Sequence, residues 1–264
     1  MANRRPEPPG ADPKADPSQR SQKKNTGILT EFDHIFEYIR QAFKQARTAE
    51  QGRIQLLSQL VGLGRHTVTG SICASGRQFQ NWNSDYRQFS HCRYDADRIA
   101  NVILREALEQ QSEDGPVVAA MDDSILRKSG KRTPGVAWRR DPLGPPFQVN
   151  FVRGQRFLQI SLGLPQDIQQ PGPARMIPFD FLHAPTPVKP RKNDPPEQWK
   201  LYRHEQRQSN IVRQGAGRVK RLRDMIDALP IHASRALWMT VDGRFTNKNL
   251  IRNLPPKTHL IGRI

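Results

Sequence analysis

The sequence predicts an α/β protein in which a helical N-terminal region precedes a mixed sheet. Two observations carry this prediction. Between Thr30 and Leu108, apolar residues recur every three or four positions, the period of amphipathic helices. From Val117 onward the pattern changes to short apolar runs of strand length: VVAAM, GVAW, RFLQISLGL, LWMTV and HLIGRI.

Residues 1–26 hold Pro6, Pro8, Pro9, Pro13 and Pro17 among polar and charged residues, with almost nothing apolar to bury, which predicts a disordered basic tail. An α-helical, DNA-binding region is expected over 27–114. Thr30 precedes Phe32, Ile35, Phe36, Ile39 and Phe43 at helical spacing, and Asp33 stands where a capping box places an acid. A second stripe, Ile54, Leu57, Leu60 and Val61, ends near Gly62 and Gly64, and Arg65, His66 and Thr67 open a further helix. That punctuation fits many plain bundles, the favoured reading, with a DNA-contacting helix-turn-helix as the alternative. Gly76 to Ser90 interleaves Trp82, Tyr86 and Phe89 with Arg77 and Arg87. Such aromatics stack on nucleic acid or pack a small core, and the core is the favoured expectation. Asp95 caps a helix with the apolar face Ile99, Ile103, Leu104, Ala107 and Leu108, closed by Gly115 and Pro116.

The remainder, 115–264, is expected to hold the sheet. Its first three runs predict an antiparallel meander, and the prolines between Pro165 and Pro196 predict a loop over 165–196. The segment from Pro196 to Leu229 reads as a long basic helix broken at Gly215 and Gly217. LWMTV is a buried strand ending in Asp242, and HLIGRI a strand of its own.

Lys and Arg total 42 against 25 Asp and Glu, a formal charge of +17. Charge of this size and sign favours a polyanionic partner through phosphate neutralisation and counterion release, so DNA or RNA leads. Cys73 and Cys92 form no CxxC and read as buried or half-buried thiols of a reducing compartment, and the seven histidines lack zinc-ligand spacing. No apolar run approaches a bilayer span, which predicts a cytoplasmic protein without a membrane partner.

In a basic chain the acids at strand ends stand out. Asp122 follows VVAAM, and Asp242 follows LWMTV 120 residues later. Neighbouring strands bring such carboxylates close together, where they repel unless a divalent cation lies between them. Ligands made only of oxygen favour Mg²⁺ or Mn²⁺, which would suit phosphodiester chemistry. Asp is also an ordinary helix cap or turn former, so DDS and DG carry a structural reading beside the catalytic one. Lys128, Lys131, Arg132, Arg139 and Arg140 stand where they would track a phosphate backbone, or act as solvated bases.

The order MDDSILRKSGKRTPGVAWRR, RGQRFLQISLGLP and WMTVDGRFTNKNLIRNLPPKTHLIGRI resembles the DDE-superfamily transposases of bacterial insertion sequences, from about Arg53 onward. The resemblance implies an RNase H-like mixed sheet, here incomplete, preceded by helices that help bind the element's ends. It implies Asp122 and Asp242 as the catalytic, metal-binding acids, Asp122 being favoured over Asp123 because Ser124 completes an Asp-x-Ser register. Phe245 supplies the phenylalanine three residues past the second acid. Mg²⁺ or Mn²⁺, transposon-end DNA and a homodimer on DNA follow as implied cofactor and partners, at the nucleoid. The family's third acid, a glutamate on a later helix, has no counterpart, because no Asp or Glu follows Asp242. The expectation is therefore an inactive portion of a transposase, and the rival is a non-catalytic DNA-binding protein competing for transposon ends.

Overall fold

The computed structural model describes residues 27–130, 132–141, 144–145, 147–166 and 172–263, so the expected tail over 1–26 lies outside the described residues. The chain divides into two units between Tyr94 and Asp95.

The first unit holds α1 (Ile28–Arg40), α2 (Ala46–Val61), α3 (Val68–Ala74) and α4 (Asn83–Ser90). α1 begins two residues before Thr30, at an N-cap Gly27 without a side-chain cap. Asp33 is thus not in a capping box, and instead accepts from Arg53 Nη2 at 2.6 Å. Phe36, 2% exposed, stacks on Phe32 and meets Phe43, which starts the core of this unit. α2 buries Thr48, Ala49, Gly52, Gln55 and Ser58, while Leu60 and Val61 of the expected stripe are exposed. The cause is Phe43, whose ring lies so close to Gly52 that an added Cβ would come within 2.7 Å of it. Thr67 caps α3 by accepting from Gly70 N at 2.9 Å, as the punctuation predicts.

The favoured core for Trp82, Tyr86 and Phe89 does not form: they are 37%, 46% and 44% exposed. α4 buries Asp85 and Gln88 instead. Asp85 is tolerated there because Arg77 Nη1 donates to it at 2.9 Å and Gln55 turns its amide toward it. Cys73 and Cys92 are free and exposed, not buried.

The second unit runs α5 (Ala96–Glu109), β1 (Val117–Arg127), β2 (Ala137–Arg140), β3 (Phe151–Pro165), β4 (Ala174–His183), α6 (Pro196–Gln208), α7 (Ile211–Asp227), β5 (Leu237–Val241), α8 (Lys248–Arg252) and β6 (Thr258–Gly262). α5, grouped by its period with the helices before it, belongs to this unit and packs with the sheet. Asp95 caps it as expected, accepting from Asp97 N and Arg98 N.

The strands form one mixed sheet in the order β2-β3-β1-β5-β6, with β4 also on β3. β1 runs antiparallel to β3 and parallel to β5, and β5 runs parallel to β6. Mixed α/β architecture preceded by helices is consistent with the RNase H-like core that the resemblance implies. β2 pairs with the far edge of β3 and not with β1, so the first three strands are no simple meander. β4 occupies part of the stretch expected to be a loop. It tolerates Pro178 because it pairs only with β3, and its register shifts between Ile160 and Ser161.

The long basic helix breaks at Ser209 and Asn210, not at the glycines; Asn210 caps α7 by accepting from Val212 N and Arg213 N. Gly215 lies inside α7, where an added Cβ would come within 3.1 Å of Met121 and 3.3 Å of Phe245. One core joins Leu104 and Leu108 of α5, Val219, Leu222 and Ile226 of α7, and Val117, Ala119, Met121, Leu158, Ile160 and Leu162 of the sheet. Strand alternation assigns Val117, Ala119 and Met121 to the face toward α7, and Val118, Ala120 and Asp122 to the other.

Phe245, fully buried between α7 and the strand ends, closes this core behind the turn after β5. Phe245→Ala is expected to cost about 3–5 kcal/mol, read as a lowered midpoint in urea unfolding.

Candidate active site

β1 does not stop at its acids: it continues to Arg127, so Asp122 and Asp123 are mid-strand residues and not strand-end caps. Alternation sends their side chains to opposite faces. Asp123 shares the α7 face with Met121. Its side chain is 9% exposed, and both its oxygens accept from Arg244 Nη1, at 3.0 and 2.8 Å. Asp122 points to the other face, where its Oδ1 accepts from the Asp123 amide at 2.8 Å.

β5 brings the second acid. The last parallel pair is Met121 with Val241, which leaves Asp122 and Asp242 as the next residues on adjacent strands. Asp242 then turns the chain, its Oδ1 accepting from Arg244 N at 3.1 Å and Phe245 N at 3.4 Å. Both carboxylates are exposed, and the Oδ2 of each makes no hydrogen bond among the described residues. Partial burial, and then the negative charges of Asp242 and Asp123, push the Asp122 carboxyl above its ordinary range, against the Asp123 amide and the more distant Arg244.

Two side-by-side carboxylates with free oxygens and mutual repulsion suit a hard divalent cation. Among the described residues no group of three or more His, Cys, Asp or Glu converges anywhere, so the donor set here is a pair.

The predicted bases divide. Lys128 follows β1, and Arg132 and Arg140 are exposed, whereas Lys131 lies outside the described residues. Arg139 is half-buried on β2 and faces the Asp123 side. Between β1 and β2, Arg153 Nη1 donates to Ser129 O and Gly130 O, and Gln155 donates to Pro134 O. Gly135, before β2, takes a left-handed conformation, φ +70°, with the His183 ring where a side chain would sit.

The family profile described as DDE superfamily endonuclease matches residues 39–264. The chain belongs to that family. No curated protein matches the chain. Membership implies transposase-like chemistry on a nucleic acid substrate, and enzymes of the DDE superfamily generally use divalent metals. No helix among the described residues is long and apolar enough to cross a membrane.

Two basic residues of this neighbourhood escaped the sequence reading. Arg244 lies inside the DGRF turn, and Arg156 opens RFLQISLGL. Both lie near Asp123; strand parity is the signal that would have found Arg156, whereas Arg244 reaches Asp123 from a turn and carries no such signal. The first unit carries a further basic feature, a cleft of about 510 Å³ lined by Arg47, Arg77, Arg87 and Arg93 with Gln51, Asn81 and Asn83 and without an acid. Of these arginines only Arg77 forms an ion pair among the described residues.

A carboxyl with a raised folded-state value holds its proton more tightly in the fold than in the unfolded chain. Its contribution to stability is therefore lost as pH rises from the ordinary value of 3.8 through the raised one. Asp122→Asn is expected to leave the urea midpoint nearly unchanged at about pH 3 and to raise it at neutral pH. Equal midpoints at both pH values would show that Asp122 carries no such strain.

Proposed function

We propose that this chain is of transposase type, with Asp122 and Asp242 as the catalytic, metal-holding acids and Asp123 as a charge partner for Arg244. The single observation that supports this reading is the parallel register of β1 and β5, whose last pair, Met121 with Val241, is followed on the two chains by Asp122 and Asp242. The reaction is hydrolysis and strand transfer at transposon ends. A water or 3′-hydroxyl oxygen attacks phosphorus while the bond to the bridging 3′-oxygen breaks. Mg²⁺ or Mn²⁺ between Asp122 and Asp242 would supply the charge that lowers the attacking group's pKa and stabilises the leaving oxygen. Lys128, Lys131, Arg132, Arg139 and Arg140 position the DNA backbone. The work belongs at the nucleoid in the cytoplasm, on a homodimer bridging two ends.

A polypeptide of these 264 residues supplies two acids and, after Asp242, no further Asp or Glu. It is expected to bind Mn²⁺ weakly, in a manner abolished by Asp122→Asn in isothermal titration, and not to cut DNA. Manganese-dependent nicking of transposon-end DNA by the purified polypeptide, lost in Asp122→Asn, would refute the inactivity.

The rival, a DNA-binding protein that competes for ends without cutting, is favoured by the acid-free cleft and by the exposed Trp82, Tyr86 and Phe89 beside its bases. Both readings require DNA binding by the helical unit. Arg87→Ala with Arg93→Ala is expected to reduce the slope of log affinity against log salt by about 2, measured by gel shift on inverted-repeat and random duplexes. Equal affinity for the two duplexes in the parent at moderate salt would count against end recognition in either reading.

A further inference from the structure

We infer that Arg139, Arg156 and Arg244 form a phosphate site on the sheet face opposite the acid pair, which takes a backbone phosphate of the DNA strand being processed. This rests on the proposed reading of the chain as a DNA-processing enzyme. The cluster is set by register. Asp123 pairs with Leu158 and Ile125 with Arg156, so Arg156 lies diagonally next to Asp123 on one face. Arg139, opposite Val152 on β2, shares that face, and Arg244 reaches it from the turn after β5.

The charges do not balance. Asp123 is the carboxylate at the centre, and Arg244 already occupies both its oxygens. The side chains of Arg139 and Arg156 make no hydrogen bond or ion pair among the described residues, and Arg139 Nε and Nη2 and Arg156 Nε are buried without a partner. An unpartnered buried guanidinium carries a desolvation cost that folding alone does not repay. Burial, first, and then their mutual repulsion or that of Arg244, depress the pKa values of both groups, against the attraction of Asp123.

Structural arginines in this chain look different. Arg235, 5% exposed, donates to Gly115 O at 2.7 Å and to Gln111 Oε1 at 3.0 Å. Arg223, 1% exposed, also buries an unpartnered Nε, but its Nη1 donates to Arg235 O and its Nη2 to Asp227, whereas no side-chain nitrogen of Arg139 or Arg156 is paired among the described residues. The Nη1 of Arg139 and both Nη atoms of Arg156 are neither bonded nor shut away, so they remain as donors for an incoming oxyanion. Planar guanidinium forks suit a phosphate held by two or more oxygens.

The test uses the full 264-residue chain and two probes, inorganic phosphate and a short DNA duplex. In chloride, Arg156→Leu and Arg139→Leu are expected to unfold at the parent's temperature or above it, because an uncompensated charge has been removed. Phosphate at matched ionic strength should raise the parent's melting temperature by several degrees, and each leucine variant should lose most of that rise. Arg156→Lys should keep part of it, and the remote Arg105→Leu all of it. On the duplex, each leucine variant should reduce the log-salt slope by about 1.

A parent without a phosphate response, or leucine variants that melt lower in chloride and respond like the parent, would assign these arginines to structure and overturn the site. Loss of the phosphate response with an unchanged duplex affinity and slope would show a site for free phosphate and overturn the DNA assignment. Asp122→Asn separates the two readings: if it retains the phosphate response while manganese binding proves independent of Asp122, the acid assignment fails and the arginine site stands.

Discussion

The second unit depends on the parallel pairing of β1 with β5. Parallel neighbours cannot be joined by a tight turn, so the chain has to leave the sheet and return through a crossover, which α7 provides. Gly215 lets that helix lie against Met121, and Phe245 fills the space at the strand ends. Only with this packing in place does Val241 stand beside Met121, and only then do Asp122 and Asp242 become neighbours. Partial burial and that closeness raise the pKa of Asp122, and the Asp123 amide offsets only part of the effect.

The doubled acid acquires two meanings from a single geometric fact. Because a strand alternates its faces, one residue separates an exposed carboxylate with a free oxygen from an almost buried one held by Arg244. Neither charge nor composition distinguishes Asp122 from Asp123. Their neighbours do, since the α7 face supplies three arginines and the opposite face a second aspartate.

Legibility followed the range of the interactions involved. The cap at Asp95, the cap at Thr67 and the span of LWMTV could be read because each depends on residues a few positions apart. Strand β4 was hidden among prolines because its tolerance of Pro178 comes from a register shift against β3, a partner far away in sequence. The buried face of α2 was misread because the Phe43 ring on Gly52 outweighs the stripe of Leu60 and Val61. The pairing of Asp122 with Asp242 was anticipated from two strand ends, but Arg156 and Arg244 were not. Arg156 owes its place to face parity between strands and Arg244 to the turn after β5, neither of which periodicity within one strand can reveal.

Two sets of unsatisfied groups remain at this end of the sheet, and they are of opposite sign. Alternation puts Asp122 on the face away from Arg156, while Arg244 pairs directly with Asp123 and acts on Asp122 only weakly. Under the proposed function and the inferred arginine site, a cation would offset the acids and an oxyanion the arginines. Under the proposed function a phosphodiester strand with its divalent counterion brings both, so the costs left by folding are offset in the same event. The protein alone then need not be at its most stable, and substitutions that relieve either charge set should favour the empty fold while weakening its hold on DNA.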